Sequence, residues 1–153
     1  MSRAERAKEY FLQGYACSQA VALAFTDITG VDAEALSKLM LPFGGGLGRL
    51  RLTCGAVSGM AAVIGSVYAE AEASPENKKA VYQTVQMLCQ EFKSQVGSLI
   101  CGELLSAMNT PVEVGGVAEE RTESYYKKRS CADIVYTAAE ILENYLRQEG
   151  KIE

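Results

Sequence analysis

Apolar residues recur at helical spacing along most of the chain, which is the pattern of an all-α protein. Cys17, Val21, Ala24 and Ile28, for example, fall on one face of a predicted helix. No run of alternating β-branched residues indicates a strand. The pattern therefore predicts a single compact helical bundle of about five to seven helices.

Glycine, proline and capping residues divide the chain into predicted helices. Gly14, Gly30 and Gly97 stand where helices should end, and Ser74 with Pro75 should begin one. The glycine-rich segment 42–48 and the segment 109–118 are predicted loops, because glycine and proline disfavour regular structure. The predicted helices cover residues 3–13, 16–29, 32–40 with Asp32 as cap, 53–73, 75–96, 99–107 and a last helix from 131 to at least 145.

The uncharged segment 52–69 reaches the lower length limit of a membrane span. Gly55, Gly59 and Gly65, together with several alanines, make it less hydrophobic than the Leu-rich and Phe-rich segments that insert readily. We therefore interpret it as a buried central helix and predict that the chain does not span a membrane.

Length and charge narrow the class of protein. The 153 residues suffice for one hydrophobic core, and no linker or repeat divides them, so one domain over 1–153 is predicted. The net charge of −4 argues against a nucleic-acid partner. Because the N-terminal segment lacks the apolar stretch of a secretory signal, the expected location is the cytoplasm. In that compartment, five cysteines favour catalytic thiols or metal ligands over structural disulfides.

Four of the five cysteines follow predicted helix starts. Cys17, Cys54, Cys101 and Cys131 should lie in first helical turns, where free N–H groups and the helix dipole favour thiolate. Cys89 falls in mid-helix on an apolar stripe and is predicted to be a core residue. We therefore expect the four sulfurs to converge in one redox or metal-binding site, with Cys89 elsewhere.

Basic residues stand before two of these cysteines and would stabilise thiolates. They are Arg49 and Arg51 before Cys54, and Lys127, Lys128 and Arg129 before Cys131. The lysines can equally be ordinary solvated charges. Cys54 is expected to react first, because it combines a helix start, a preceding glycine loop that can open and two arginines. Thr53 is the expected N-cap of its helix, and Ser130 with Asp133 should cap the last helix.

The segment Cys54-Gly55-Ala56-Val57-Ser58-Gly59 matches a C-G-A-x-x-G motif. With single cysteines before and after it, this motif resembles the C_GCAxxG_C_C family over about residues 17–131. The family pattern has glycine where this chain has Thr53. The resemblance implies a redox-active protein, since the family is regarded as redox-active largely because of its cysteines. It also implies a link to a membrane transporter, because members often occur near transporter genes.

The resemblance also implies a cofactor. A related domain in split-Soret cytochromes is associated with an iron–sulfur centre, so one interpretation is a 2Fe–2S cluster bound by Cys17, Cys54, Cys101 and Cys131. Dithiol/disulfide cycling by the same cysteines is the other. Zinc is a lesser expectation, and covalent haem is excluded because the chain has no C-x-x-C-H sequence and no histidine.

Gly55 and Gly59 lie four residues apart on one helix face and would allow a neighbouring helix to approach Cys54 closely. They are therefore included among the candidate cofactor-binding residues. The alternative function is a non-enzymatic helical binding or adaptor protein with structural cysteines or a structural zinc. The sequence leaves open whether the chain is an oxidoreductase or an electron-transfer protein, which redox partner it has, and whether it forms a homo-oligomer.

Overall fold

A computed structural model describes all 153 residues of the chain. It contains nine α-helices, one 3-10 helix at Leu41–Phe43 and no β-strand, so the predicted all-α fold is confirmed. The helices are α1 (Arg3–Leu12), α2 (Cys17–Leu23), α3 (Thr26–Thr29), α4 (Ala33–Met40), α5 (Gly55–Tyr68), α6 (Pro75–Val96), α7 (Cys101–Ala107), α8 (Glu123–Lys128) and α9 (Cys131–Gln148).

The number of helices exceeds the expected five to seven because of two local features. The predicted helix 16–29 is broken between α2 and α3, where Phe25 turns inward and is fully buried. At this break the Thr26 hydroxyl donates a hydrogen bond to the Leu23 carbonyl oxygen at 3.3 Å. The unexpected helix α8 follows a loop and is capped by Thr122, whose hydroxyl accepts a hydrogen bond from a backbone N–H of the first turn.

The helix α5 lies at the centre of the bundle, as the apolar segment predicted. It packs against α2, α6 and α9, and its Val63 and Ile64 are fully buried. It ends at Tyr68 rather than at residue 73, because the Asn77 side chain binds the Tyr68 carbonyl oxygen and the Glu70 N–H in a turn. None of the helices combines the length and the apolar character that a membrane span requires.

Most of the predicted helix boundaries have the expected physical basis. Gly30 and Gly97 end α3 and α6 in the left-handed conformation, with φ of 68° and 103°. Asp32 and Ser74 cap α4 and α6, because their side-chain oxygens accept hydrogen bonds from backbone N–H groups of the first turn.

Two predicted caps differ from the structure. Cys54, and not Thr53, is the N-cap of α5, and Thr53 instead pairs with the residue before α7 in an isolated bridge. Ser130 is at the N-cap position of α9, but its side chain makes no capping hydrogen bond. Asp133 is drawn away from this role by an ion pair of 2.9 Å with Lys8 of α1.

Candidate functional site

Each of the four candidate cysteines lies at the start of a helix, as the sequence predicted. Cys17, Cys101 and Cys131 are the first residues of α2, α7 and α9, and Cys54 immediately precedes α5. All four line one cavity of about 330 Å³. Cys89 lies within α6, beside a separate small pocket lined by apolar residues of α5 and α6. The structure therefore brings the four cysteines together and leaves Cys89 apart.

Close packing of α2 on α5 brings Cys17 to Cys54. A Cβ atom on Gly59 would lie 2.8 Å from the Cβ of Val21, and one on Gly55 would lie 3.2 Å from the Cβ of Cys17. A side chain at either position would force the helices apart, so the two glycines permit the close approach that the sequence predicted. Gly55 also lines the cavity, whereas Gly59 is confined to the contact between the helices.

The glycine-rich loop forms one wall of the cavity. Gly45, Gly46, Arg49 and Arg51 all adopt left-handed backbone conformations, with φ between 64° and 70°. This conformation is strained for arginine, and hydrogen bonds within the loop hold it, such as that from the Arg51 N–H to the Gly45 carbonyl oxygen. A Cβ on Gly46 would lie only 2.6 Å from the Cβ of Cys101. The loop backbone therefore packs directly on the start of α7.

Positive side chains outnumber negative ones around the cavity. Its charged lining residues are Arg49, Arg51, Arg121, Arg129 and Glu119. The Glu119 carboxylate lies 2.6 Å from the Arg129 guanidinium and 3.6 Å from that of Arg49, so these two arginines have a counter-ion. Arg49 and Arg51 also donate to the carbonyl oxygens of residues 115 and 113, which fixes that segment against the glycine loop.

Two cavity residues, Arg121 and Tyr125, were not among the candidates from the sequence. The Arg121 guanidinium donates to the Phe11 carbonyl oxygen and lies 4.2 Å from the centre of the Phe11 ring. Neither residue lies in a predicted helix, and no signal in the sequence identifies them. Lys127 and Lys128, which were candidates, are exposed and do not line the cavity, so they are solvated charges.

Cys17 and Cys131 form a hydrogen-bonded pair of thiols with different acidities. Their hydrogen bond raises the pKa of Cys17 and lowers the pKa of Cys131, because Cys17 keeps its proton and donates it to the Cys131 sulfur. Burial also raises the pKa of Cys17. Burial would raise the pKa of Cys131 too, but the hydrogen bond outweighs this effect. The positive charges of Arg129, Arg121 and Arg51 lower the pKa further. The pair thus consists of a more acidic thiol at Cys131 and a less acidic thiol at Cys17.

Cys54 and Cys101 remain neutral thiols. Burial raises the pKa of Cys54 to about 12, and it raises the pKa of Cys101 as well. Arg51 opposes the rise at Cys101, since its Nη1 lies 3.7 Å from the sulfur. The helix start therefore does not give Cys54 the lowered pKa on which its expected reactivity rested. Its side chain is buried, and the free-energy cost of a charge there exceeds the stabilisation that a helix start provides.

The cavity does not assemble a metal site in this arrangement. A zinc ion or a cluster needs donors that converge around it, and no three Cys, Asp or Glu side chains are grouped closely enough to hold a metal ion. A negative charge on one of the four cysteines still raises the pKa of its neighbours. The sulfurs therefore lie near one another without forming a ligand shell. Binding of a 2Fe–2S cluster or of zinc by the four cysteines therefore stays a prediction.

Comparison with known proteins points to one family. The sequence model of the family described as "Putative redox-active protein (C_GCAxxG_C_C)" matches residues 15–145. This range contains all four cavity cysteines and the glycine-rich loop. The chain has no match among curated proteins or solved structures. The family description indicates redox activity and specifies no cofactor, substrate or mechanism.

Proposed function

Since the chain belongs to the C_GCAxxG_C_C family, we propose that it is a thiol–disulfide redox protein in which Cys131 attacks and Cys17 resolves. The observation that carries the proposal is the placement of these two thiols in one cavity, where their interaction moves their pKa values in opposite directions. Disulfide exchange requires a thiolate to attack and a second thiol to release the product. Cys131 and Cys17 are suited to these two roles.

In the proposed reaction, the Cys131 thiolate attacks one sulfur of a substrate disulfide. A bond forms between that sulfur and Cys131 Sγ, the substrate S–S bond breaks, and the first substrate thiolate leaves. Cys17 then transfers its proton to this leaving thiolate, attacks Cys131 Sγ and displaces the second substrate thiolate. Two electrons have passed to the substrate, and Cys17 and Cys131 are joined as a disulfide. An external dithiol reductant restores the starting pair.

The other residues of the cavity support this chemistry without exchanging electrons. Arg129, Arg121 and Arg51 stabilise the attacking thiolate by their positive charge. Cys54 and Cys101 line the cavity as neutral thiols and take no part in the cycle.

Thiol counting combined with metal analysis tests the proposal. Protein purified without air should contain neither iron nor zinc in stoichiometric amount, and a small disulfide should convert two of its five thiols to a disulfide that dithiothreitol reverses. Stoichiometric iron with visible colour would show that the four cysteines hold a cluster instead. Bound zinc, or five thiols that do not react, would support a binding protein with structural cysteines.

The proposed redox cycle also requires a suitable compartment and a partner. A reducing compartment such as the cytoplasm contains the dithiol reductants that the cycle consumes. A redox partner that supplies electrons, and a functional link to a membrane transporter, are parts of the proposal that follow from the family resemblance. Cycling assays with cytoplasmic dithiol proteins as reductant test the first of these.

A further inference from the structure

A buried guanidinium in the cavity has no carboxylate to neutralise it. Arg51 is 7% exposed, yet it lines the cavity. Its Nε donates to the Glu113 carbonyl oxygen at 2.9 Å, its Nη1 contacts Cys101 Sγ, and it forms no ion pair. A buried charge that lacks a counter-ion is unfavourable, so an anion that enters the cavity would be stabilised at this position.

The neighbouring groups do not supply that counter-ion. Glu119 is engaged by Arg129 and Arg49, and Cys101 is a neutral thiol. Cys131, even when ionised, would supply one negative charge among four guanidinium groups. Arg51 and Cys131 line the same cavity, and the positive charge of Arg51 acts on the Cys131 sulfur, so an anion at Arg51 would lie near the attacking sulfur.

We propose that the substrate is a small disulfide bearing a carboxylate or sulfonate, which Arg51 binds while Cys131 attacks the sulfur. This inference rests on the proposed function and specifies its substrate class. A guanidinium offers a planar set of N–H donors that matches such an anion. The cavity volume of about 330 Å³ is that of a small-molecule site.

Three dialkyl disulfides of similar size but different charge test the inference. They are 3,3′-dithiodipropionate, a dianion, 2-hydroxyethyl disulfide, which is neutral, and cystamine, a dication. The rate constant for oxidation of the Cys17–Cys131 pair is measured with each reagent, for the wild-type protein and for Arg51→Gln. We expect Arg51→Gln to lower the rate constant for oxidation by the dianion about tenfold more than that for oxidation by the dication. This factor corresponds to the loss of one charge-assisted hydrogen bond.

The ratio of the rates separates binding from thiolate stabilisation. Loss of Arg51 also raises the pKa of Cys131, but that change slows all three reagents alike. The matched control is Arg147→Gln, which removes a half-exposed arginine outside the cavity and should leave the ratio unchanged. If Arg51→Gln does not fold, Arg51→Lys and added salt on the wild-type protein replace it, and salt should slow the dianion and accelerate the dication.

The outcomes distinguish this inference from the proposed function. Equal slowing of all three reagents, or salt effects of the opposite sign, would overturn the anionic substrate and leave the redox pair intact. Failure of every reagent to oxidise Cys17 and Cys131 in the wild-type protein would overturn the proposed function itself.

Discussion

Cys131 and Cys54 begin two long helices beside the same cavity, yet their thiols differ in acidity. The helices α9 and α5 contain 18 and 14 residues, so both cysteines lie at the positive end of a helix dipole. The hydrogen bond from Cys17 lowers the pKa of Cys131, whereas burial raises the pKa of Cys54 to about 12. A helix start alone therefore does not determine the acidity of a thiol. A hydrogen-bond donor and positive charges must also reach the sulfur.

Replacement of single cysteines by serine should give the largest difference between Cys131 and Cys54. Cys131→Ser removes the attacking thiolate, and we expect the rate of oxidation by 2-hydroxyethyl disulfide to fall on the order of a thousandfold. Cys54→Ser removes a neutral thiol and should change the rate by about twofold or less. Stopped-flow thiol measurements compare the two variants. A Cys54→Ser variant that has lost activity, beside an active Cys131→Ser variant, would reverse the roles assigned here.

The glycine loop offers a way to disturb one wall of the cavity. Gly46→Ala should lower the free energy of unfolding by about 3 kcal/mol, because alanine is strained at its φ of 70° and its Cβ would clash with Cys101. Gly30→Ala is the matched control, since Gly30 has a φ of 68° and open space around it. It should cost only about 1 kcal/mol. Urea denaturation measures both, and equal losses would show that the loop does not pack tightly on α7.

The free energy of unfolding at alkaline pH tests the raised pKa of Cys54. The folded-state pKa of Cys54 lies above that of the unfolded chain, so its contribution is present at lower pH and is lost as pH rises toward about 12. Between about pH 8 and pH 10.5, in the presence of a reductant, Cys54→Ala should lose about 2 kcal/mol less stability than the wild-type protein. Identical pH dependence of the two proteins would contradict a desolvated thiol at this position.

Cys131→Ala provides the opposite case in the same experiment. The lowered pKa of Cys131 gives stability that is present above the pKa of the unfolded chain and is lost as pH falls through the folded-state pKa. As pH falls below about 9, where Cys17 stays protonated in both proteins, the wild-type protein should therefore lose stability that Cys131→Ala does not lose.

The smallest expected effect is at Cys89, outside the cavity. Cys89→Ala should lower the free energy of unfolding by about 1 kcal/mol, because it removes a half-buried sulfur from the contact between α5 and α6. The rate of oxidation by 2-hydroxyethyl disulfide should equal that of the wild-type protein. A slower variant would mean that Cys89 takes part in the redox cycle.

The predictions from the sequence succeed where local chemistry decides the structure. Asp32 and Gly97 mark helix ends through a capping hydrogen bond and a left-handed backbone, which depend on a few adjacent residues. The placement of the cysteines at helix starts follows from the same signals. Gly55 and Gly59 also act as predicted, because the absence of a side chain has the same effect on any close neighbour.

The properties that the sequence did not reveal depend on tertiary contacts. Arg121 reaches the cavity because a loop folds back on the end of α1, and no periodicity marks it. The sequence did not reveal the raised pKa of Cys54, because its burial depends on helices that are distant in sequence. The sequence predicted that the four sulfurs converge, but nothing in it indicates that Cys17 interacts with Cys131 in particular.

Peptide mapping of the oxidised protein tests most directly whether Cys17 and Cys131 form the redox pair. The protein is oxidised with a slight excess of 2-hydroxyethyl disulfide, its remaining thiols are alkylated, and the digested peptides are analysed by mass spectrometry. We expect one intramolecular disulfide between Cys17 and Cys131, with alkylated Cys54, Cys89 and Cys101. A disulfide between Cys54 and Cys101, or the absence of any intramolecular disulfide, would contradict the assignment.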